Sequence, residues 1–144
     1  MPQALTKYFG SIEFGEAEVV QFPSGLPAFE EETQFLVMEP AASAPLIFLQ
    51  SLRQPEFCFL ALPMVTVDPK YHLAIAMEDL ESLGIDSSEG VTCLAILAVT
   101  DNGAFTANLL APVVINRVRR LGLQAVRLDS IYSHQHPLGE GACL

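Results

Sequence analysis

The sequence predicts an all-β, mainly antiparallel fold in a single domain, and three observations carry that prediction. Apolar, β-branched and aromatic residues fall into short runs, among them residues 34–38, 46–51, 57–62 and 91–99, each bounded by Pro, Gly, Asn or Asp. Asp101-Asn102-Gly103 contains the Asn-Gly pair that favours the tight turn of an antiparallel hairpin. Residues 78–83 pattern as one short helix. At 144 residues the chain has the length of one domain, and a body of that size buries roughly 68–70% of its unfolded surface, enough for a core without disulfides or metal.

In chain order, residues 8–14 set Phe9, Ile12 and Phe14 against polar neighbours with a bulge at Gly10. Gly15 then turns the chain into residues 18–22, which predicts a β-hairpin. The segment Phe22-Pro23-Ser24-Gly25-Leu26-Pro27-Ala28-Phe29-Glu30 holds two prolines and a glycine, so no regular element fits it, yet Phe22, Leu26 and Phe29 require burial. A packed, ordered loop satisfies both demands. Glu30, Glu31 and Glu32 put three charges on a surface turn, either a solvated face or a docking site for a basic partner. Strands follow over residues 34–38, 46–51 and 57–62, with a turn over 39–45, and Pro63 closes the third by removing a ladder donor. Gln50 and Ser51 end the second strand with polar groups that either cap the ladder or meet a ligand.

Asp68-Pro69-Lys70-Tyr71 is a turn, after which residues 71–77 resume strand-like alternation. His72 reads as a satisfied or solvent-facing imidazole, because no nucleophile and carboxylate surround it in a catalytic arrangement. Over residues 78–84, acids at the start, Leu80 and Leu83 on one face and Gly84 as a left-handed stop predict a helix of about two turns. Residues 91–99 form the longest apolar run and therefore the central strand. In residues 106–116, Asn108 and Asn116 bracket a Leu-Leu-Ala-Pro turn and a β-branched run, and their amides either fasten loop backbone or meet a partner. Val114, Val118 and Leu121 also sit at helical spacing, but β-branched residues 113–115 and the run at 124–128 favour a hairpin. Its loop, residues 117–122, carries Arg117, Arg119 and Arg120, a crown that is either solvated or in contact with an anion or partner. The domain is expected to span residues 1–133, with a flexible tail over 134–144.

Charge is unevenly shared. The net charge is −10, and residues 1–116 hold 15 acidic against 3 basic side chains, while residues 117–144 hold 4 basic against 2 acidic. An acidic body repels phosphates and suits a basic partner, which disfavours direct nucleic-acid binding. Cys58 and Cys93 lie in apolar strand-like runs and read as core thiols; Cys143 with His134 and His136 lacks the spacing of a metal site. No apolar run is long enough to cross a bilayer and no secretory leader is visible, so the expected location is the cytoplasm, away from membranes.

Several of these motifs together resemble one family, the bacterial flagellar assembly factor FliW. The likeness rests on residues 22–30, similar to a Gly-Leu-Pro-Gly-Phe-Glu pattern, on residues 45–51 ending in Leu-Gln-Ser, and on Pro69-Lys70-Tyr71. It rests most on Asn108-Leu109-Leu110-Ala111-Pro112-Val113-Val114-Ile115-Asn116 followed by Gly122-Leu123-Gln124. Ala28 stands where the pattern has a second glycine and Lys70 where it has an acid. The resemblance implies a small, mostly antiparallel β-barrel-like domain without catalytic activity or cofactor. It implies two protein partners, the RNA-binding translational regulator CsrA and flagellin, with flagellin holding the protein until export frees it to antagonise CsrA. The contact residues expected from the surface-capable motif members are Gln50, Ser51, Tyr71, Asn108, Glu30, Glu31 and Glu32. The competing reading is a ligand-binding or enzymatic barrel built on His72 with Asp68, or on the arginine crown around an anion. A structural part of the flagellum is the third.

Overall fold

The computed structural model describes residues 2–71, 76–85, 91–125 and 131–138. Its strands are β1 (Gln3–Thr6), β2 (Gly10–Glu13), β3 (Val19–Gln21), β4 (Gln34–Met38), β5 (Ile47–Ser51), β6 (Cys58–Pro63), β7 (Thr92–Val99), β8 (Phe105–Ala107), β9 (Val113–Asn116), β10 (Leu121–Gln124) and β11 (His136–Pro137). The helices are α1 (Met64–Val67) and α2 (Met77–Leu83). Strands β7, β6, β5, β4, β3, β10 and β9 pair in that order, and a further pairing of β9 with β7 closes them into a seven-stranded barrel. All of these pairings are antiparallel except β3 with β10, which meet in parallel through Gln21 and Leu121. The expected all-β, mainly antiparallel, barrel-like domain is therefore the observed one.

Alternation along the strands builds the core. Phe35, Leu49, Leu94, Val113 and Ile115 point inward with Val20 and Ala61, and the intervening residues face outward to be covered separately. On one outer flank Val114 lies under Leu83 of α2. On another, Leu62 of β6 and Ala95 and Leu97 of β7 pack with Met64 and Leu109. One edge of β7 is shared: Thr92–Leu94 bond to β9, and Leu97–Val99 bond to β8. The turn joining β7 to β8 holds Gly103 at φ +83, in the left-handed region that the Asn-Gly pair anticipated.

Four expectations are corrected. The first hairpin pairs β1 with β2, not residues 8–14 with 18–22, and β3 joins β4 in the barrel. The chain reverses over residues 7–9 because the Thr6 hydroxyl donates to the Gly10 carbonyl and accepts from the Phe9 N–H, with Gly10 at φ +68. Pro63 ends β6 as expected, and one helical turn, α1, follows it with Met64 buried in the outer cluster. Of the strand expected over 71–77, residues 72–75 lie outside the described residues, and Met77 opens α2. The return strand begins at Leu121 and shortens the arginine loop to residues 117–120; residues 126–128 lie outside the described residues. Finally, of the flexible tail expected over 134–144, residues 136–138 are docked along the free edge of β8, where His136 and Pro137 pair with Ala107 and Thr106 and the Leu138 N–H donates to the Phe105 carbonyl, and residues 139–144 lie outside the described residues.

The register sets the two ends of the barrel apart. At one end lie the β3–β4 and β5–β6 connections. At the other lie the entry to β3, the exit of β4 and the β9–β10 turn.

Candidate functional site

At the first end, the proline-rich loop between β3 and β4 folds over the core. Phe22 is fully buried, edge-on to Phe35 with ring centroids 5.3 Å apart, and Gly122 lies flat against it. Phe29 meets Phe57 and Phe59 edge-on at 5.2 and 5.4 Å. Two positions force the loop's path. Gly25 has φ +64 and sits so close to the Glu30 backbone that a Cβ would lie 2.5 Å from it. Pro27-Ala28 forms a turn closed by the Phe29 N–H on the Leu26 carbonyl at 2.7 Å, with Ala28 at φ +71 where glycine is the usual residue. The loop is packed and ordered, and Phe22 and Leu26 lie inside rather than forming an apolar docking patch.

The acidic triplet divides. Glu30 and Glu31 are exposed, but Glu32 is 2% exposed and points inward. Its carboxylate accepts from Ser51 Oγ at 2.8 Å and from Arg53 Nη1 at 2.7 Å, and Arg53 also reaches Glu31 at 3.2 Å. Ser51 Oγ in turn accepts the N–H groups of Arg53 and Gln54. Gln50 is fully buried, its Nε2 donating to the carbonyls of Ser51, Pro55 and Phe57. Gln50, Ser51 and Glu32, expected as contacts, are thus corrected to an internal clamp that ties the β3–β4 loop to the β5–β6 loop. Their polar groups pair with one another and with buried loop backbone, except Gln50 Oε1, which is buried with no hydrogen-bond partner among the described residues. The sign in the sequence was Arg53, a cation in the loop just after Ser51.

The other expected contacts are partly committed. Asn108 Oδ1 accepts the N–H groups of Leu110 and Ala111, fastening the turn before β9. Tyr71 is half-buried, donates its hydroxyl to the Leu109 carbonyl at 2.8 Å and stacks on Tyr132 at 4.3 Å. Asn116 is buried: its Nδ2 donates to the Leu83 carbonyl at the end of α2, and its Oδ1 accepts the N–H groups of Val118 and Arg119. That one amide locks α2 to the β9–β10 turn. Asp68 accepts the Lys70 N–H in its own turn, and His72 lies outside the described residues. Cys58 is half-buried, and burial pushes its thiol up to about 11, which leaves it protonated and unreactive; Cys93 is likewise half-buried and Cys143 lies outside the described residues. Among the described residues no group of three or more His, Cys, Asp or Glu side chains could hold a metal ion.

Two of the surface clefts lie at the ends of the barrel. One, of about 390 Å³, separates the proline loop from α2 and β10; Glu30 and Asp79 are its charged residues, with Pro23, Pro27 and Leu123 as apolar walls. Glu78 and Glu81 stand exposed on the same helix. The other, of about 500 Å³, is the opposite end of the barrel, where Val20, Val37 and Ile115 are rimmed by Arg117, Arg120, Glu18 and Glu39.

The FliW protein family model matches residues 3–138. A flagellar assembly factor FliW from Syntrophomonas wolfei is 36% identical over 130 residues, covering 90% of this chain and 83% of that protein. The Geobacillus kaustophilus protein of the same name is 38% identical over 134 residues, 92% of each chain. A crystal structure of the flagellar assembly factor FliW superposes with a TM-score of 0.86 at 35% identity, over 96% of this chain and 97% of that one.

Proposed function

The chain belongs to the FliW family of flagellar assembly factors, and on that premise we propose that it acts without catalysis, by binding CsrA and flagellin in turn. Flagellin occupies it while flagellin accumulates in the cytoplasm; export of flagellin frees it to bind CsrA and lift the repression of flagellin translation. The observation that supports a basic partner is the acidic side formed by the proline loop and α2. Glu30 and Asp79 line a cleft with no basic residue in its lining, and Glu78 and Glu81 extend the same charge across the helix. Such a surface raises the association rate of a cationic RNA-binding protein and repels RNA itself.

Calorimetric titration with CsrA from the same source, repeated after saturation with flagellin, tests the reading. Binding to CsrA that flagellin abolishes is the expected result; no binding to CsrA at low salt reduces the protein to a flagellin-associated factor. Replacing Glu30 and Asp79 by Lys is expected to slow CsrA association about tenfold at low salt and much less at high salt. Equal rates at low salt would place the regulator elsewhere. Glu32 is left intact in that variant because its carboxylate is spent inside the fold.

A further inference from the structure

We propose that the outer edge of β2 is a docking site for an extended segment of a partner protein, which adds to the β1–β2 hairpin as a third, antiparallel strand and sets a basic residue against Glu13. The inference goes beyond the acidic side between the proline loop and α2 and does not depend on which regulator binds there. Strands β1 and β2 form a two-stranded sheet of their own, apart from the barrel. A ribbon of two strands has an edge on each side, and the unpaired backbone groups of an edge are complemented by another strand.

The register determines which groups are free. Bonded and non-bonded pairs alternate along an antiparallel ladder. The Phe14 N–H donates to the Pro2 carbonyl at 3.1 Å, so the bonded pairs are Ala4 with Ile12 and Thr6 with Gly10, and the N–H and C=O groups of Gln3, Leu5, Ser11 and Glu13 point away from the middle of the ribbon. Lys7 continues that alternation: its N–H turns outward to the Pro55 carbonyl at 2.9 Å, which sets the β1 edge against the β5–β6 loop. On β2 no backbone group of Ser11 or Glu13 bonds to any other described residue, and both residues are exposed. The edge of β8, by contrast, is covered by β11. Nor does β2 carry the lysine or proline that commonly guards an edge.

The side chains fix what the incoming strand carries. The pleat buries Ala4 and Thr6 on the inner face of the ribbon and turns Leu5, Ser11 and Glu13 outward. Leu5 is 68% exposed, and only the small Ser11 separates it from the free edge. A bulky apolar side chain placed opposite Ser11 reaches across to Leu5 and takes both out of water. Glu13 lies two residues on, exposed and without an ion pair among the described residues, so an antiparallel strand meets it with a lysine or arginine two positions before the apolar residue. A second copy of this chain supplies no such cation from its own β2, and two bodies of net charge −10 repel each other.

The test uses the isotope-labelled full chain and three probes: acetyl-Thr-Lys-Thr-Phe-Thr-amide, the same peptide with Glu in place of Lys, and the first peptide N-methylated at Lys and Phe, the two residues whose N–H groups face β2 in this register. The Lys peptide is expected to shift the amide resonances of Ser11 and Glu13 saturably, in the millimolar range, and to slow the hydrogen exchange of both. The Glu peptide is expected to bind about tenfold more weakly, and the N-methylated one not at all at about 10 mM. Ser11→Pro removes one outward donor, spares the bonds to β1 and is expected to abolish binding. Glu13→Lys changes only an exposed side chain and is expected to reverse the preference between the Lys and Glu peptides, a readout that stands even if the proline variant unfolds. Equal binding of the Lys peptide and either of the others, shifts centred away from β2, or no shift at about 10 mM peptide would overturn the proposal. Shifts at Ser11 and Glu13 that grow with protein concentration in the absence of peptide would also overturn it, in favour of a second copy on this edge. None of these readouts involves CsrA or flagellin, so failure here and failure of the regulatory reading are distinguishable.

Discussion

At one end of the barrel the chain between β3 and β4 folds back over the core and buries Phe22 and Leu26 beneath its own backbone, while at the other end a cleft with half-buried Val37 in its lining sits over buried Val20 and Ile115. The closed end turns much of its polar character inward: Glu32 and Ser51 are paired by neighbouring loops, and Gln50 Nε2 donates to three loop carbonyls. The open end keeps its charges exposed, and neither Arg119 nor Arg120 has a carboxylate partner among the described residues. Motif residues that look alike in sequence therefore have opposite uses. Within the closed end itself Glu32 holds the fold from inside, whereas its neighbour Glu30 stays exposed.

Mutations sharpen that contrast. Gly25→Ala forces a Cβ against the Glu30 backbone at a left-handed residue and is expected to cost about 3 kcal/mol in chemical denaturation. A loss below about 1 kcal/mol would show that the loop is looser than a plug. Glu32→Ala removes the acceptor of both Ser51 and Arg53 and is expected to cost about 2 kcal/mol, less than a fully buried pair because Arg53 is half-exposed. Ala28→Gly relieves a left-handed alanine and is expected to gain about 0.5 kcal/mol once glycine's extra unfolded-state entropy is subtracted. At the open end Arg117→Met breaks an exposed ion pair with Glu39 and is expected to change stability by less than about 0.5 kcal/mol, a difference that vanishes in high salt. A loss there as large as that of Glu32→Ala would erase the distinction between the two ends.

Much of this plan was legible in the sequence. The runs that became β4, β5, β6 and β7 are long, apolar and bounded by turn residues. Gly84 stops α2 at φ +70, as its position after Leu83 foretold. What escaped notice depends on distant partners. Glu32 is indistinguishable from its two acidic neighbours until Ser51 and Arg53 fold against it from 19 and 21 residues away. Gly10 and Gly15 are equally good turn residues in the sequence, and the choice between them lies in the Thr6 hydroxyl bonds. Arg120 reads as one of three loop arginines, and only the backbone of the folded turn sets it apart. Barrel closure has no local signature either, since β7 divides one edge between β9 and β8.

The parallel meeting of β3 and β10 also has a consequence for how the protein is made. Gln21 donates its N–H to the Arg120 carbonyl at 2.8 Å, and this stitch joins residues about a hundred positions apart. A chain emerging from the ribosome can pair β3 with β4, β4 with β5 and β5 with β6 as each appears, because those contacts are nearly sequential. It cannot close the cylinder until residues past 121 have been released. Until then β3 has an unpaired edge, so the vulnerable interval in synthesis lasts almost to the end of translation and ends in a single late step.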